Sequence, residues 1–323
     1  MAETPLQRDA PRWEWLDDVE RCLTFQSADS REGYLSQLVD HASRYAALDS
    51  IRVMTNARGC VAYLLVYPGK LAMVGGVAPA SSLRSQEELI ESAFLLRSLV
   101  DSVRGEVELT QAVTFPAEFD VEFDAWRRRC FESAGFRPIA VLKQCALDFS
   151  KAPSEPVTSN PFQSTTAIPL TFVPWRKELD AEFVRVVDQT YDGTLDVPEL
   201  NGVRSTYATL EGYSRTGLRG ESFRDWWLIG RGKEYVGCLL VCRHSPKLAE
   251  LLYLGIVPEE RGKGLSYAVM TFLLDWCRLH GVGRILLAAD TRNAPALKLY
   301  ERFGFEDIGT AEAWFASLDR ADC

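Results

Sequence analysis

Ten residues constrain this chain more than any others: Val257-Pro-Glu-Glu-Arg-Gly-Lys-Gly-Leu-Ser266. They join an apolar run, 249–257, to a long amphipathic stretch, 265–280, which Gly281 closes in the position of a C-cap glycine. The spacing predicts strand, tight turn and helix. A short run apolar on both faces, 285–289, follows as a strand, and Asn293 caps a last helix over 294–303, with Pro295 in its first turn and Gly304 at its end. Parallel strands joined by a helix cross over right-handed. The end of the chain therefore reads as an α/β sheet, completed by a strand near 311–317.

The turn has the makings of an anion cradle. A helix start presents unpaired N–H groups and partial positive charge, and Gly262 and Gly264 let the backbone approach a phosphate closely. The spacing fits neither GxxxxGK[ST] nor GxGxxG. Taken alone, the turn reads equally well as a tight connection that binds nothing.

Upstream of it, 170–173 reads as a strand and 178–190 as a helix with Phe183, Val186 and Val187 on one face. The stretch 193–202 is irregular, 205–216 amphipathic, and 226–230 and 235–242 are strands. Residues 151–168 hold the Pro-, Ser- and Thr-rich run KAPSEPVTSNPFQSTT and read as a linker between domains at 1–150 and 169–323.

Arg261-x-x-Gly264-x-Ser266 resembles the Q/R-x-x-G-x-G/A signature of the GNAT superfamily of N-acetyltransferases, with Ser at the last position. Asn293-Ala-Pro-Ala-Leu-Lys-Leu-Tyr-Glu-Arg-Phe-Gly-Phe305 resembles the family's N-x-x-A-x-x-L-Y-x-x-x-G-F motif. The two stand in the family's order, each on the expected element. The resemblance implies a central mixed sheet flanked by helices, in which the fourth and fifth strands splay apart around acetyl-CoA. It places Leu254, Gly255 and Ile256 along the pantetheine arm, like partners of an added strand. It places the main chain of Arg261, Gly262, Lys263, Gly264, Leu265, Ser266 and Tyr267 on the pyrophosphate, and Asn293, Ala296 and Lys298 near the pantetheine or nucleotide.

Thioester aminolysis needs a neutral amine, a polarised carbonyl and a proton for the leaving thiolate. By motif position Tyr300 is the general acid, Glu250 the candidate general base, and the amide near Ile256 the oxyanion donor. Asp192, Asp196 and Glu199 are an alternative acidic pocket, or simply turn residues and caps. Cys238 and Cys242 share one face of an apolar strand and read as core, not as acyl carriers.

The first half looks like a worn copy of the second. Residues 59–66 and 71–79 read as third and fourth strands, and Phe131-Glu-Ser-Ala-Gly-Phe136 echoes Tyr300-Glu-Arg-Phe-Gly-Phe305. Aligning Pro79 with Pro258 puts Ser82, Ser85 and Glu87 where the cradle has Arg261, Gly264 and Ser266, and Phe131 stands at the place of Tyr300. The expectation is an α/β chain of two tandem GNAT-like domains, the first degenerate, in a layout resembling mycothiol synthase.

Composition narrows the partners. With 36 Lys and Arg against 45 Asp and Glu, the net charge of −9 argues against nucleic acid and an anionic membrane surface. Eight scattered cysteines and three histidines give no metal site and suit a reducing, cytoplasmic setting. The N-terminal stretch 1–15 lacks the apolar core of a signal peptide. The function expected is acetyl transfer to a small-molecule or protein amine, by a monomer or homodimer. A longer acyl chain and a CoA-binding sensor without turnover are the alternatives.

Overall fold

The computed structural model describes residues 15–23, 28–44, 50–116, 120–150, 169–217 and 220–318. The linker expected at 151–168 and the N-terminal stretch to residue 14 lie outside them.

The first half contains α1 (Leu16–Arg21), α2 (Ala28–Arg44), β1 (Ile51–Thr55), β2 (Val61–Tyr67), β3 (Leu71–Ala78), α3 (Gln86–Ser102), β4 (Leu109–Thr114), α4 (Val121–Ser133) and β5 (Phe136–Asp148). The second contains β6 (Leu170–Pro174), α5 (Asp180–Tyr191), α6 (Thr206–Ser214), β7 (Trp226–Arg231), β8 (Glu234–Ser245), β9 (Leu248–Ile256), α7 (Leu265–Leu279), β10 (Arg284–Asp290), α8 (Ala294–Arg302) and β11 (Glu306–Ala316). The strand–turn–helix–strand–helix unit is present as expected, with β9 and β10 parallel. The final strand begins at Glu306, ahead of the expected 311, because its first five residues are all exposed and show no apolar alternation.

The sheets of the two halves are one. All eleven strands form a single sheet in the order β1-β2-β3-β4-β11-β5-β10-β9-β8-β7-β6. At its centre the halves trade strands. β11, from the second half, sits between β4 and β5 of the first, and β5 pairs with β10 of the second from Leu142↔Asp290 to Asp148↔Arg284. β5 and β11 pair antiparallel about Leu142↔Ala311. Each carries one bulged residue, Ile139 and Ile308, which the register skips. These stand 169 positions apart, as do Phe131 and Tyr300, and Phe136 and Phe305. Matching irregularities at one constant offset mark a duplicated unit folded about a pseudo-two-fold axis.

Three apolar layers support the site. Beneath α7, Ala249, Leu251 and Ile256 of β9 pack with Val269, Leu273 and Ile285. On the other face, Phe183 and Val186 of α5 cover Leu228, Cys238 and Leu240. In the first half, α3 and α4 cover the sheet with Leu96, Leu99, Trp126 and Phe131. Cys238 and Cys242 are fully buried core, and burial pushes their thiols up to about 12 and about 11.

Candidate active site

β9 and β10 pair only over Leu248–Glu250 with Arg284–Leu286 and then part. On β9's other edge, Leu252 is bulged out of the ladder with β8, between Leu251↔Val241 and Tyr253↔Leu240. A bulge bends and twists its strand, and here it sits where the two parallel strands separate. Beyond it, the β9 edge runs along a cleft of about 410 Å3. Leu254, Gly255 and Ile256 wall one side, Ala288 and Ala289 of β10 the other, and the start of α8 closes the end with Asn293, Ala296 and Tyr300. Gly255 is required: a Cβ there would come within 2.5 Å of Thr190 Oγ1 and 2.7 Å of the Tyr253 ring.

The glycine turn caps this cleft. Gly262 and Gly264 take left-handed φ of 73° and 77°, which disfavour any side chain. Gly264 is the N-cap of α7 and supplies no side-chain acceptor. Among the described residues the amides of Gly262 to Ser266 find no acceptor in the chain. Arg261, Gly262, Leu265 and Ser266 line the cleft. The side chain of Arg261 is spent on structure, donating to the carbonyls of Ile256 (2.9 Å), Thr190 (2.9 Å) and Gly193 (3.1 Å). It thereby ties the end of β9 to the end of α5.

Not every expected residue reaches the cleft. Lys263 pairs with Glu260 at 3.1 Å, Tyr267 is buried against Phe303, and Lys298 is exposed on the outer side of α8. Gly264 acts through its backbone. Glu250 stands one residue before the splay. Its neighbours Ala249 and Leu251 pack beneath α7, so alternation turns it to the face of α5 and α6. There Glu250 Oε2 lies 2.7 Å from His244 Nε2. His244 is itself a bulged residue, skipped between Arg243↔Ala249 and Ser245↔Leu248.

Tyr300 packs against Phe305, and its hydroxyl has no hydrogen-bond partner among the described residues. Burial, with the charge of Asp196, pushes its phenol well above the ordinary range, so it keeps its proton at neutral pH. Asp196 also lines the cleft. Burial raises its carboxyl, and it accepts the Asp290 amide at 2.8 Å. Of the other acidic candidates, Glu199 is taken up by Arg292 at 2.6 Å and held below the usual carboxylate range, and Asp192 only ends α5. Three tyrosines that the sequence did not single out, Tyr191, Tyr213 and Tyr253, cluster beside Asp196 on the α5–α6 side. Their signal was an unremarkable scatter of aromatics.

The first half lacks this arrangement for visible reasons. Ser85, at the place of Gly264, accepts the Glu88 amide while Glu88 accepts the Ser85 amide, so α3 spends its N-terminal donors on its own capping box. Phe131 packs against Trp314, with ring centroids 5.5 Å apart, where the 169-residue offset puts Cys145 opposite Tyr300. A large indole occupies the place of a small thiol.

Comparison with known proteins agrees. Residues 196–305 match the model of the Acetyltransferase (GNAT) family. The mycothiol acetyltransferase of Corynebacterium glutamicum is 36% identical over 87 residues, which cover 25% of this chain and 30% of that protein. That of Acidothermus cellulolyticus is 39% identical over 67 residues, covering 21% and 20%. The chain thus spans less than a third of the length of the curated relatives it matches. In overall fold it is similar to a GCN5-related N-acetyltransferase from Sphaerobacter thermophilus, with a TM-score of 0.59, 15% identity and coverage of 94% and 91% of the two chains. A tandem GNAT protein from the clavulanic acid biosynthesis pathway matches with a TM-score of 0.50 and 16% identity, over 95% of each chain. Residues 196–305 thus match the GNAT family, and the two halves together share the fold of a tandem GNAT protein.

Proposed function

We propose that this protein transfers an acetyl group from acetyl-CoA to a primary amine, directly and within one ternary complex, in the cleft of its second half. The observation that carries this reading is the meeting of a strand edge, Leu251–Ile256, with a helix start, both without main-chain partners among the described residues. The first is a template for an extended pantetheine arm. The second is a site for a diphosphate. The residues present fit acetyl-CoA, and the match to relatives named for acetyl transfer supports the choice of acyl group.

Within that frame Tyr300 gives its proton to the departing thiolate. Burial keeps the phenol protonated and able to hydrogen-bond the departing thiolate; because a raised phenol is a weaker acid than a thiol of pKa about 8.5, the proton moves only as charge builds on the sulfur. Glu250 stands just outside the cleft lining, so it takes the amine's proton through water, and its 2.7 Å contact with His244 gives that proton a way to solvent. The unpaired edge of β9 offers main-chain donors to the carbonyl oxygen as charge develops. The acceptor is a small molecule or a protein amine, and the setting is the cytoplasm. Among the described residues no helix is long and apolar enough to cross a membrane.

The test is calorimetric titration with acetyl-CoA, followed by thiol release with benzylamine, 1,4-diaminobutane and L-lysine as probe amines. One site per chain, abolished by Gly264→Glu, is expected. Two sites would overturn the degeneracy of the first half, and no binding by folded protein would overturn the function.

A further inference from the structure

Two arginines hold the stretch 193–202, which overhangs the cleft: Arg261 its start at Gly193, and Arg292 the turn 196–199. Arg292 donates to both oxygens of Asp290 (2.6–3.0 Å), to both oxygens of Glu199 (2.6 and 2.9 Å) and to the carbonyl of Ile139 (2.9 Å). Asp290 is fully buried, and its own Oδ2 accepts the Val197 amide at 3.2 Å. The Asp290 amide in turn holds Asp196 Oδ1. Arg292 and Asp290 together therefore fix both ends of the turn 196–199.

Two features show that this hold works against local preference. Val197 is left-handed, with φ of 43°, a region that β-branched residues avoid. Such a residue persists only where its surroundings over-determine it. Its surroundings come from both halves: Val197 and Leu200 pack against Ile139, Ala140 and Leu142 of β5 in the first and Ala313 and Phe315 of β11 in the second. Ile139 is the bulged residue of β5, so the strand ladder leaves its carbonyl to be taken by Arg292. The bulge thus has a use on this side of the pseudo-two-fold axis.

Resting on the function proposed above, we propose that Arg292 is a positioning residue through which the catalytically degenerate half holds Asp196 at the cleft, and that Asp196 there receives the ammonium group of the acceptor. Asp196 is suited to this place. It lines the cleft with Tyr300, Tyr213 and Tyr253 lie close enough to feel its charge, and its neighbour Glu199 is already neutralised. A carboxylate beside tyrosine rings favours a cationic amine over a neutral nucleophile.

The experiment uses the full chain with Arg292→Met, Glu199→Gln and Asp196→Asn. Hydrogen exchange of the amides at 196–201 is expected to speed at least tenfold in Arg292→Met, with α7 amides unchanged and the acetyl-CoA Kd within about threefold of wild type. Glu199→Gln, which keeps the Asp290 contact, should give a smaller acceleration in the same segment. With 1,4-diaminobutane as probe, Arg292→Met and Asp196→Asn should raise the amine KM at least tenfold and change kcat far less. Unchanged exchange at 196–201 in Arg292→Met overturns the positioning role. Accelerated exchange throughout the chain together with lost acetyl-CoA binding does so too, by showing a merely structural part. An unchanged amine KM in Asp196→Asn overturns the ammonium site. If wild type binds acetyl-CoA and turns over none of the probe amines, the amine-transfer reading and the Asp196 role fall together, and the exchange measurement alone decides the role of Arg292.

Discussion

Tyr300 and Phe131 occupy equivalent places in the two halves, so exchanging their identities separates chemistry from stability. In Tyr300→Phe one oxygen is removed. Its hydroxyl has no hydrogen-bond partner among the described residues, and the ring keeps its packing on Phe305. The stability cost should therefore fall within about 0.5 kcal/mol, the usual range for a change that breaks no contact. The loss appears in turnover. General acid catalysis contributes about 10²–10⁴-fold. A thiolate is a tolerable leaving group without help, so the drop in kcat should lie near the lower end, about 10²-fold, with the acetyl-CoA Kd unchanged. The mirror substitution, Phe131→Tyr, puts a hydroxyl on a ring that is 1% exposed and packed against Trp314. An unpaired buried hydroxyl costs about 1–3 kcal/mol. At about 2–4 °C per kcal/mol, melting should fall by several degrees while kcat stays unchanged. Steady-state thiol release and a thermal melt on both variants are sufficient. A Tyr300→Phe enzyme at wild-type kcat refutes the acid assignment. A Phe131→Tyr protein as stable as wild type refutes the claim that the Phe131 ring edge is closed off by its packing on Trp314.

Other perturbations follow from the same geometry. Gly255→Ala forces a Cβ to within 2.5 Å of Thr190 and must displace the β9 edge; acetyl-CoA affinity, read by titration, should fall at least tenfold, and Thr190→Ala should restore part of it. Asp196 has its carboxyl raised by burial, so it binds protons more tightly folded than unfolded, and the stability it contributes is present at low pH and lost as pH rises through its folded pKa. Asp196→Asn should accordingly raise the melting temperature at pH 8, with the gain vanishing towards pH 4; a gain that grows on acidification would reverse the sign. Asp290 behaves oppositely. Arg292 and the Arg292 and Val197 amides hold its carboxyl down against the cost of burial, so its contribution is present above the unfolded pKa and lost as pH falls through the folded one. Arg292→Met removes that hold, so it should lower stability most at neutral pH and flatten the loss on acidification, followed by circular dichroism. Residues 169–323 expressed alone should aggregate or fail to give a cooperative melt, because β10 loses β5 and β11 loses both of its partners.

What the sequence disclosed was local. Gly262 and Gly264 announce a left-handed turn into a helix because only glycine takes that backbone at no steric cost, and Asn293, Pro295 and Gly304 punctuate α8 for equally local reasons. That the equivalent turn of the first half has no glycines was legible too, although the Ser85–Glu88 capping box found there also serves as an ordinary helix start. The exchange of β5 and β11 was not legible. A strand's pattern records which face is buried and says nothing of which strand lies beside it. The bulge at Leu252 leaves no sequence mark, since two apolar residues in succession are common in strands. Arg292 reads as a surface residue between Thr291 and Asn293; its partners Glu199 and Ile139 are 93 and 153 positions away.

The shared sheet bears on how such a duplicate can age. A gene copy released from catalysis usually drifts until it is lost. Here the first half carries Phe131 and a helix-capping Ser85 in place of Tyr300 and Gly264, but its β5 is the strand on which β10 rests and the one whose bulged residue offers its carbonyl to Arg292. A substitution along β5 is therefore felt in the second half, whereas one at Ser85 stays within the first. The fold of each half is written partly in the residues of the other.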